Sequence, residues 1–223
     1  MKSRKVFIFF TLFMVFFLVS GCKNNIYTIC KKEISETRTC YYFGKNDKYV
    51  ASVTSGEREE EYILNGEHTK NVPYTVLVVD FIETKLNTLP NFELSIDGKI
   101  YSGEMELNPF NGTFCVDLGV QIEDNLDVEL SLLEESKKMD LISVSSLWQV
   151  DYSLAFDIAI NAFGERLNNY IENGKLQGEI FQKLISLNRY SAEDIYWNIC
   201  LFLKNGEILT CTIDVITGQV VAM

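Results

Sequence analysis

Six cysteines, one histidine and 31 carboxylates are the side chains of this chain whose types could carry chemistry. The single histidine, His68, sits in the polar stretch Asn65 to Asn71, without the His-x-x-x-His spacing that zinc hydrolysis uses. It reads as a surface histidine. No Gly-x-Ser-x-Gly elbow and no glycine-rich phosphate loop occurs. Asp124, Asn125, Asp127 and Glu129 bring oxygen donors together as calcium would require, yet they lack the glycine and distal glutamate of a calcium loop. Alternation assigns Asp127 and Glu129 to the solvent face of a strand. Glu57, Glu59, Glu60 and Glu61, with Arg58 among them, read as a solvated loop or an edge strand kept from pairing by charge. Glycoside hydrolysis needs two acids held roughly 5–9 Å apart, and the sequence singles out no such pair. The expectation is therefore a protein that is not an enzyme, with no catalytic residues, no metal and no cofactor.

Cys22 is set apart by what precedes it. Lys2, Arg4 and Lys5 form a basic stub. The run Val6 to Val19 is apolar except for Thr11, and Val19-Ser20-Gly21-Cys22 follows. Fourteen residues are too few for a spanning helix, which needs about 20. A basic stub, a short apolar run and small residues before a cleavage point describe a signal peptide. The last four residues resemble the lipobox of bacterial lipoproteins, with Val19 where leucine is commoner. That resemblance implies cleavage after Gly21 and a diacylglycerol on the Cys22 sulfur, with the palmitate-type acylation of the family. Residues 1–21 are then the signal peptide and residues 22–38, polar and without period, the lipid anchor and tether. The implied location is the cell membrane, on its extracytoplasmic face. Two acyl chains hold stably where one does not, at about 0.8 kcal/mol per buried methylene.

Loss of residues 1–21 removes three basic side chains and no acid, which leaves 17 basic and 31 acidic groups, a net of −14. Such a surface is repelled by nucleic acid, so no nucleic-acid partner is expected. Expected partners are the membrane, through the lipid on Cys22, and an envelope protein or peptide.

Five cysteines remain: Cys30, Cys40, Cys115, Cys200 and Cys211. An odd number cannot all pair within one chain. If Asn205-Gly206 forms a two-residue hairpin loop, Lys204 faces Glu207 and Cys200 faces Cys211, close enough for a disulfide. The alternative is two partly buried thiols on one sheet face. Cys30 and Cys40 flank the start of the first domain and are a second candidate pair. Cys115, in an apolar strand, reads as a core thiol.

The elements that must position these groups follow from periodicity. From Thr39 to about Glu134 short alternating segments are separated by turn signals, among them Asn65-Gly66, Asp97-Gly98, Asn111-Gly112 and Asn125. Tyr62-Ile63-Leu64 is one of these segments. Residues 39–135 look like an all-β immunoglobulin-like sandwich. Asp151 to Asn173 has helical spacing, with Asp151 or Ser153 as cap and Asn173-Gly174 as stop. Ile180 to Asn188 fits a helix or a strand. Tyr196 to Lys204 and Glu207 to Val215 form a hairpin. A helix, a hairpin containing Trp197, and the ending Asp214-x-x-Thr217-Gly218 before Val220-Val221 resemble a PepSY domain over 147–223. The expected fold class is thus α+β overall, an immunoglobulin-like sandwich followed by a small PepSY-like domain. The PepSY resemblance implies a non-catalytic envelope module.

The functional expectation is a membrane-anchored extracytoplasmic lipoprotein acting as a non-catalytic binding or regulatory module. Two alternatives stand beside it: an inhibitor or folding assistant of a secreted metalloprotease acting through the PepSY-like domain, and a hydrolase with an unrecognised carboxylate site.

Overall fold

β-Branched and aromatic residues crowd the first half of the chain, and they build strands long enough to curl. The computed structural model describes residues 26–61, 67–82, 88–132 and 138–223. Cys22, the apolar run before it, the Tyr62-Ile63-Leu64 segment and the Asn65-Gly66 turn lie outside these residues. A short helix, α1, occupies residues 26–31. Strands β1 (Ile34–Lys45), β2 (Tyr49–Glu59) and β3 (Asn71–Phe81) then form an antiparallel meander. The segment expected as tether is therefore folded from residue 26, and its last residues belong to β1.

Strands β4 (Asn91–Ile96) and β5 (Lys99–Glu104) are joined by Asp97 and Gly98, both at positive φ, as a two-residue mirror-image turn requires. Strands β6 (Glu106–Leu107), β7 (Phe114–Asp117), β8 (Val128–Leu132) and β9 (Met139–Ser143) follow. Their spatial order is β5-β4-β8-β9-β1-β2-β3-β7-β6. Because β5 and β6 are neighbours in the chain, this sheet curls into a nearly closed barrel. Tyr42, Val53, Leu77, Leu94, Met105 and Leu130 fill its interior with no exposed surface. The Tyr42 hydroxyl donates to Glu123 O and accepts from Leu126 N at 3.1 Å, so even this buried phenol is satisfied.

The second core lies on the other flank of β1. Helix α2 (Tyr152–Phe163) begins at Asp151, whose carboxylate accepts from Leu154 N at 2.8 Å. The helix ends at Gly164, with φ of 56°, and a 3-10 turn (Gly164–Tyr170) continues to the small hairpin β10 (Ile171–Glu172) and β11 (Lys175–Leu176). Asn173-Gly174, expected as the helix stop, instead makes the turn of that hairpin. Strands β12 (Gly178–Ser186), β13 (Ile195–Leu203), β14 (Ile208–Asp214) and β15 (Val220–Ala222) form a second antiparallel meander under α2. Trp197 is wholly buried there, its indole N–H donating to Val150 O at 2.8 Å.

These arrangements overturn the expected fold class. Strand accounts for 51% of the described residues and helix for 15%, too little helix for an α+β protein. The immunoglobulin-like sandwich fails because β9 pairs with both β8 and β1, which joins what would be two sheets into one wall. In/out alternation is the same for a sandwich and a barrel, so periodicity could not separate them. The PepSY-like arrangement fails because the last four strands do not form a separate sheet. β12 pairs in parallel with β1, Ile34 opposite Ile180 and Thr37 opposite Gln182. β1 thus serves both cores, its first half beside β12 and its second half beside β9.

The Asp214-x-x-Thr217-Gly218 segment is a turn built on one carboxylate. Asp214 Oδ1 accepts from Ile216 N at 3.0 Å, Thr217 N at 2.7 Å and Thr217 Oγ1 at 2.9 Å, and Gly218 takes φ of 72°. The Thr217 backbone bond, the largest cause, holds the carboxyl below its ordinary range. Asp214→Ala is expected to cost about 1–2 kcal/mol at neutral pH, read by urea denaturation. A depressed native pKa stabilises the fold above the unfolded value, so the gap between parent and variant should close as acid protonates Asp214. A gap unchanged down to acid denaturation would contradict this.

Candidate functional site

A cleft of about 320 Å3 opens where the barrel meets the helical layer. Its walls come from segments far apart in the chain. α1 supplies Tyr27 and Lys31, β1 supplies Ile34, Thr37 and Thr39, and β2 supplies Glu57. His68, Asn71 and Gln121 close the barrel side, and Tyr152, Ser153 and Phe156 of α2 close the other, with Gln182 of β12 between.

Two irregularities in β1 create the opening. The β1–β12 register shifts between Ile34 and Glu36, and the β1–β2 register shifts between Arg38 and Cys40. Each extra residue sharpens the local twist, so β1 turns from one core to the other at the cleft. Thr39, the extra residue of the second bulge, donates its hydroxyl to Ser55 O at 3.3 Å. Opposite Arg38 stands Gly56, where an added Cβ would come within 1.9 Å of Thr37 O. Only a hydrogen atom fits there.

Gln182 is the pin of the site. It is 1% exposed, accepts from Thr37 Oγ1 at 2.7 Å and donates Nε2 to Tyr152 O at 3.1 Å. One side chain thereby ties β1, β12 and α2 together. On the barrel side Asn71 donates Nδ2 to Ile34 O at 2.9 Å, and its Oδ1 lies 3.3 Å from His68 Nε2. On the helix side Tyr27 packs edge-on to Phe156 at 5.3 Å, and the Lys31 ammonium lies 5.9 Å from the Tyr27 ring centre. Burial, then the Asp157 charge, raises the Tyr27 phenol pKa.

Across β1 from the cleft a charged cluster holds the junction closed. Glu36, 4% exposed, accepts from Arg38 Nε at 3.1 Å and from the Tyr74 hydroxyl at 3.0 Å, and lies 3.4 Å from the Lys183 ammonium. Arg38 also donates to Leu184 O at 3.1 Å. These contacts join β1, β3 and β12, so the cleft has a stiff floor.

The residues singled out by sequence fall in varied places. His68 is a wall of the cleft rather than an isolated surface group. Glu57 lies within β2, paired with Thr37 on one side and Pro73 on the other, so it is neither loop nor edge, while Glu59 ends the strand and pairs with Asn71 of β3. Glu59 is 1% exposed and accepts from Thr69 N. Asp124 takes the hydroxyls of Ser143 and Ser145, while Glu129 pairs with Lys138. No group of three or more metal-type ligands gathers among the described residues.

The cysteine expectations are corrected by register. Cys200 lies opposite Thr210, and Cys211 lies opposite Ile199. The loop is one residue longer than supposed: Gly206 N donates to Leu203 O at 2.8 Å, Gly206 takes φ of 84°, and Leu203 N donates to Glu207 O at 3.0 Å. That is a three-residue loop with a glycine bulge. A one-residue slip sends the two side chains to opposite faces, and Cys211 is buried while Cys200 is half-buried. Cys30 belongs to the α2 core and Cys40 to the barrel core, so they do not meet either. Cys115 is half-buried because its neighbour Phe114 takes the inward position. All five are thiols. Burial pushes Cys30 and Cys40 up to about 12 and Cys211 up to about 11, and raises Cys115 and Cys200 less far. Thiolates are the reactive form. In native protein a small maleimide should therefore label Cys115 and Cys200 well before the other three, with all five labelled after unfolding. Mass analysis finding Cys200 and Cys211 protected together as a disulfide would contradict this register.

The lining as a whole offers hydroxyl and amide groups of both hydrogen-bonding senses, aromatic rings, one ammonium and one carboxylate. Such a surface suits recognition of an uncharged, hydrogen-bonding ligand. Comparison with known protein families, curated proteins and solved structures returns no match.

Proposed function

We propose that the chain is a lipid-anchored extracytoplasmic binding module whose cleft holds a small, uncharged, hydroxyl-rich ligand of the sugar class. Cys22 is the anchor, for the reasons its preceding residues give. The observation that carries the ligand class is the lining: Gln121, Ser153 and the Asn71 amide oxygen are neutral polar groups beside the rings of Tyr27 and Tyr152, while Thr37, Thr39 and Gln182 bond within the protein and hold the walls in place. Neutral groups of this kind satisfy hydroxyls without a fixed charge, and aromatic faces accept the C–H side of a sugar. Binding rather than turnover is the reading adopted, with His68 held to the Asn71 amide oxygen at 3.3 Å as part of the cleft wall.

The test is a thermal-shift titration of the mature protein with uncharged methyl glycosides and, in parallel, with acidic and basic sugars. A ligand at 100 times its dissociation constant stabilises the folded state by about 2.7 kcal/mol. The uncharged series should raise the melting temperature, and Ser153→Trp, which fills the cleft, should abolish the rise. A shift only with charged ligands, or one that survives Ser153→Trp, would sink the assignment.

A further inference from the structure

Helix α1 brings the cleft close in sequence to Cys22. Tyr27 and Lys31, both on α1, form part of its wall. Cys22 precedes Tyr27 by five residues, and five residues fully extended span at most about 18 Å. With the Cys22 sulfur acylated, the wall of the cleft lies within that distance of the lipid headgroups, and there is no length of chain to carry it further away. β1 lines the cleft from Ile34 to Thr39 and runs on to Lys45, six residues or about 20 Å further. At that far end the turn between β6 and β7 presents Phe110, 97% exposed. The molecule therefore has a membrane-near end that contains the cleft and a distal end marked by Phe110.

We propose that the cleft opens toward the bilayer that carries the anchor and takes the uncharged, hydroxyl-rich headgroup of a membrane lipid, not a free sugar from bulk solvent. This rests on the reading of Cys22 as the anchor and of the cleft as a neutral-ligand site. A ligand in the same two-dimensional sheet as its receptor is presented at high effective concentration by the tether alone, so weak contacts suffice. The selection of a neutral headgroup follows from charge. The mature chain carries a net of −14, which disfavours anionic lipids, while Lys31 and Glu57 leave the lining balanced. The half-buried side chain of Ile34 gives the glycerol end of such a headgroup an apolar surface to lie on.

The experiment uses the full chain in its own membrane. A benzophenone amino acid replaces Tyr152 at the cleft in one variant, His68 at the opposite cleft wall in a second, and Phe110 at the distal end in a third. After irradiation, lipid adducts are identified by intact mass, and palmitate incorporation is followed in the same samples. The expected result is a neutral-headgroup lipid adduct at position 152 or 68 at least tenfold more abundant than at position 110. Palmitate on Cys22 with equal or absent adducts at all three positions would overturn the inference while leaving the anchor standing. A melting shift with methyl glycosides in the absence of lipid adducts would assign the cleft to free sugars, which also overturns it. Absence of palmitate on Cys22 would instead remove the reading beneath it.

Discussion

Trp197→Ala is expected to destabilise the protein by about 3–5 kcal/mol, the largest loss of any single side chain in the α2 core. The indole has no exposed surface, and it packs edge-on to Trp148 with ring centres 5.6 Å apart. Its N–H satisfies Val150 O, the carbonyl just before the Asp151 cap of α2. Alanine leaves a cavity, removes the aromatic contact and orphans a buried acceptor, and the three costs fall on the same element. Since Tyr152, Ser153 and Phe156 sit in the first turns of α2, the cleft should loosen with the core. Urea denaturation followed by far-ultraviolet circular dichroism measures the loss. A change below about 1 kcal/mol would show that Trp197 is not the centre of this core. Trp197→Phe, which keeps much of the volume but not the N–H, should lie between parent and alanine.

Gly56→Ala should be comparably severe, for a different reason. The added methyl would stand 1.9 Å from Thr37 O and 2.9 Å from Arg38 Cα, both backbone atoms of β1. Backbone cannot swing aside as a flexible side chain can, so β1 and β2 must separate at the bulge that opens the cleft. The expected loss exceeds about 3 kcal/mol, a size reserved for strain of this kind. Gly103→Ala is the control: its methyl meets only Phe92 Cε1, at an ordinary 3.6 Å, and stability should change by less than about 1 kcal/mol. Equal stability of the two variants would contradict the close approach of β1 to β2.

What could be read from the residues was local. Asp97-Gly98 turns the chain where expected, Asp151 caps α2, and Asp214 with Gly218 closes its turn, because each depends on a few neighbouring dihedrals and one side chain. The in/out alternation of β4 and of β8 was legible for the same reason. Closure was not. Whether alternating strands make two sheets or one curled wall depends on β9 reaching β1, and no short-range signal encodes that. The parallel pairing of β1 with β12 joins Thr37 to Gln182 across 145 positions. The only trace of it is a glutamine within the otherwise apolar run Ile180 to Ile185, where only Lys183 is also polar. The cysteine pair failed on one residue of loop length, since Asn-Gly serves a two-residue loop and a three-residue loop with a glycine bulge alike. His68 was visible because it is the single histidine, but its neighbours in the cleft, Tyr27, Thr37 and Tyr152, are ordinary residues until the fold gathers them.

The proposed tether holds a binding body at a membrane through one sulfur, and the intact mass of the protein extracted from membranes tests that most directly. The expected species begins at Cys22 and carries a diacylglyceryl group, and Cys22→Ser abolishes both the added mass and the membrane retention. A membrane-extracted chain that begins at any other residue, or a Cys22→Ser variant still processed and equally retained, would contradict it.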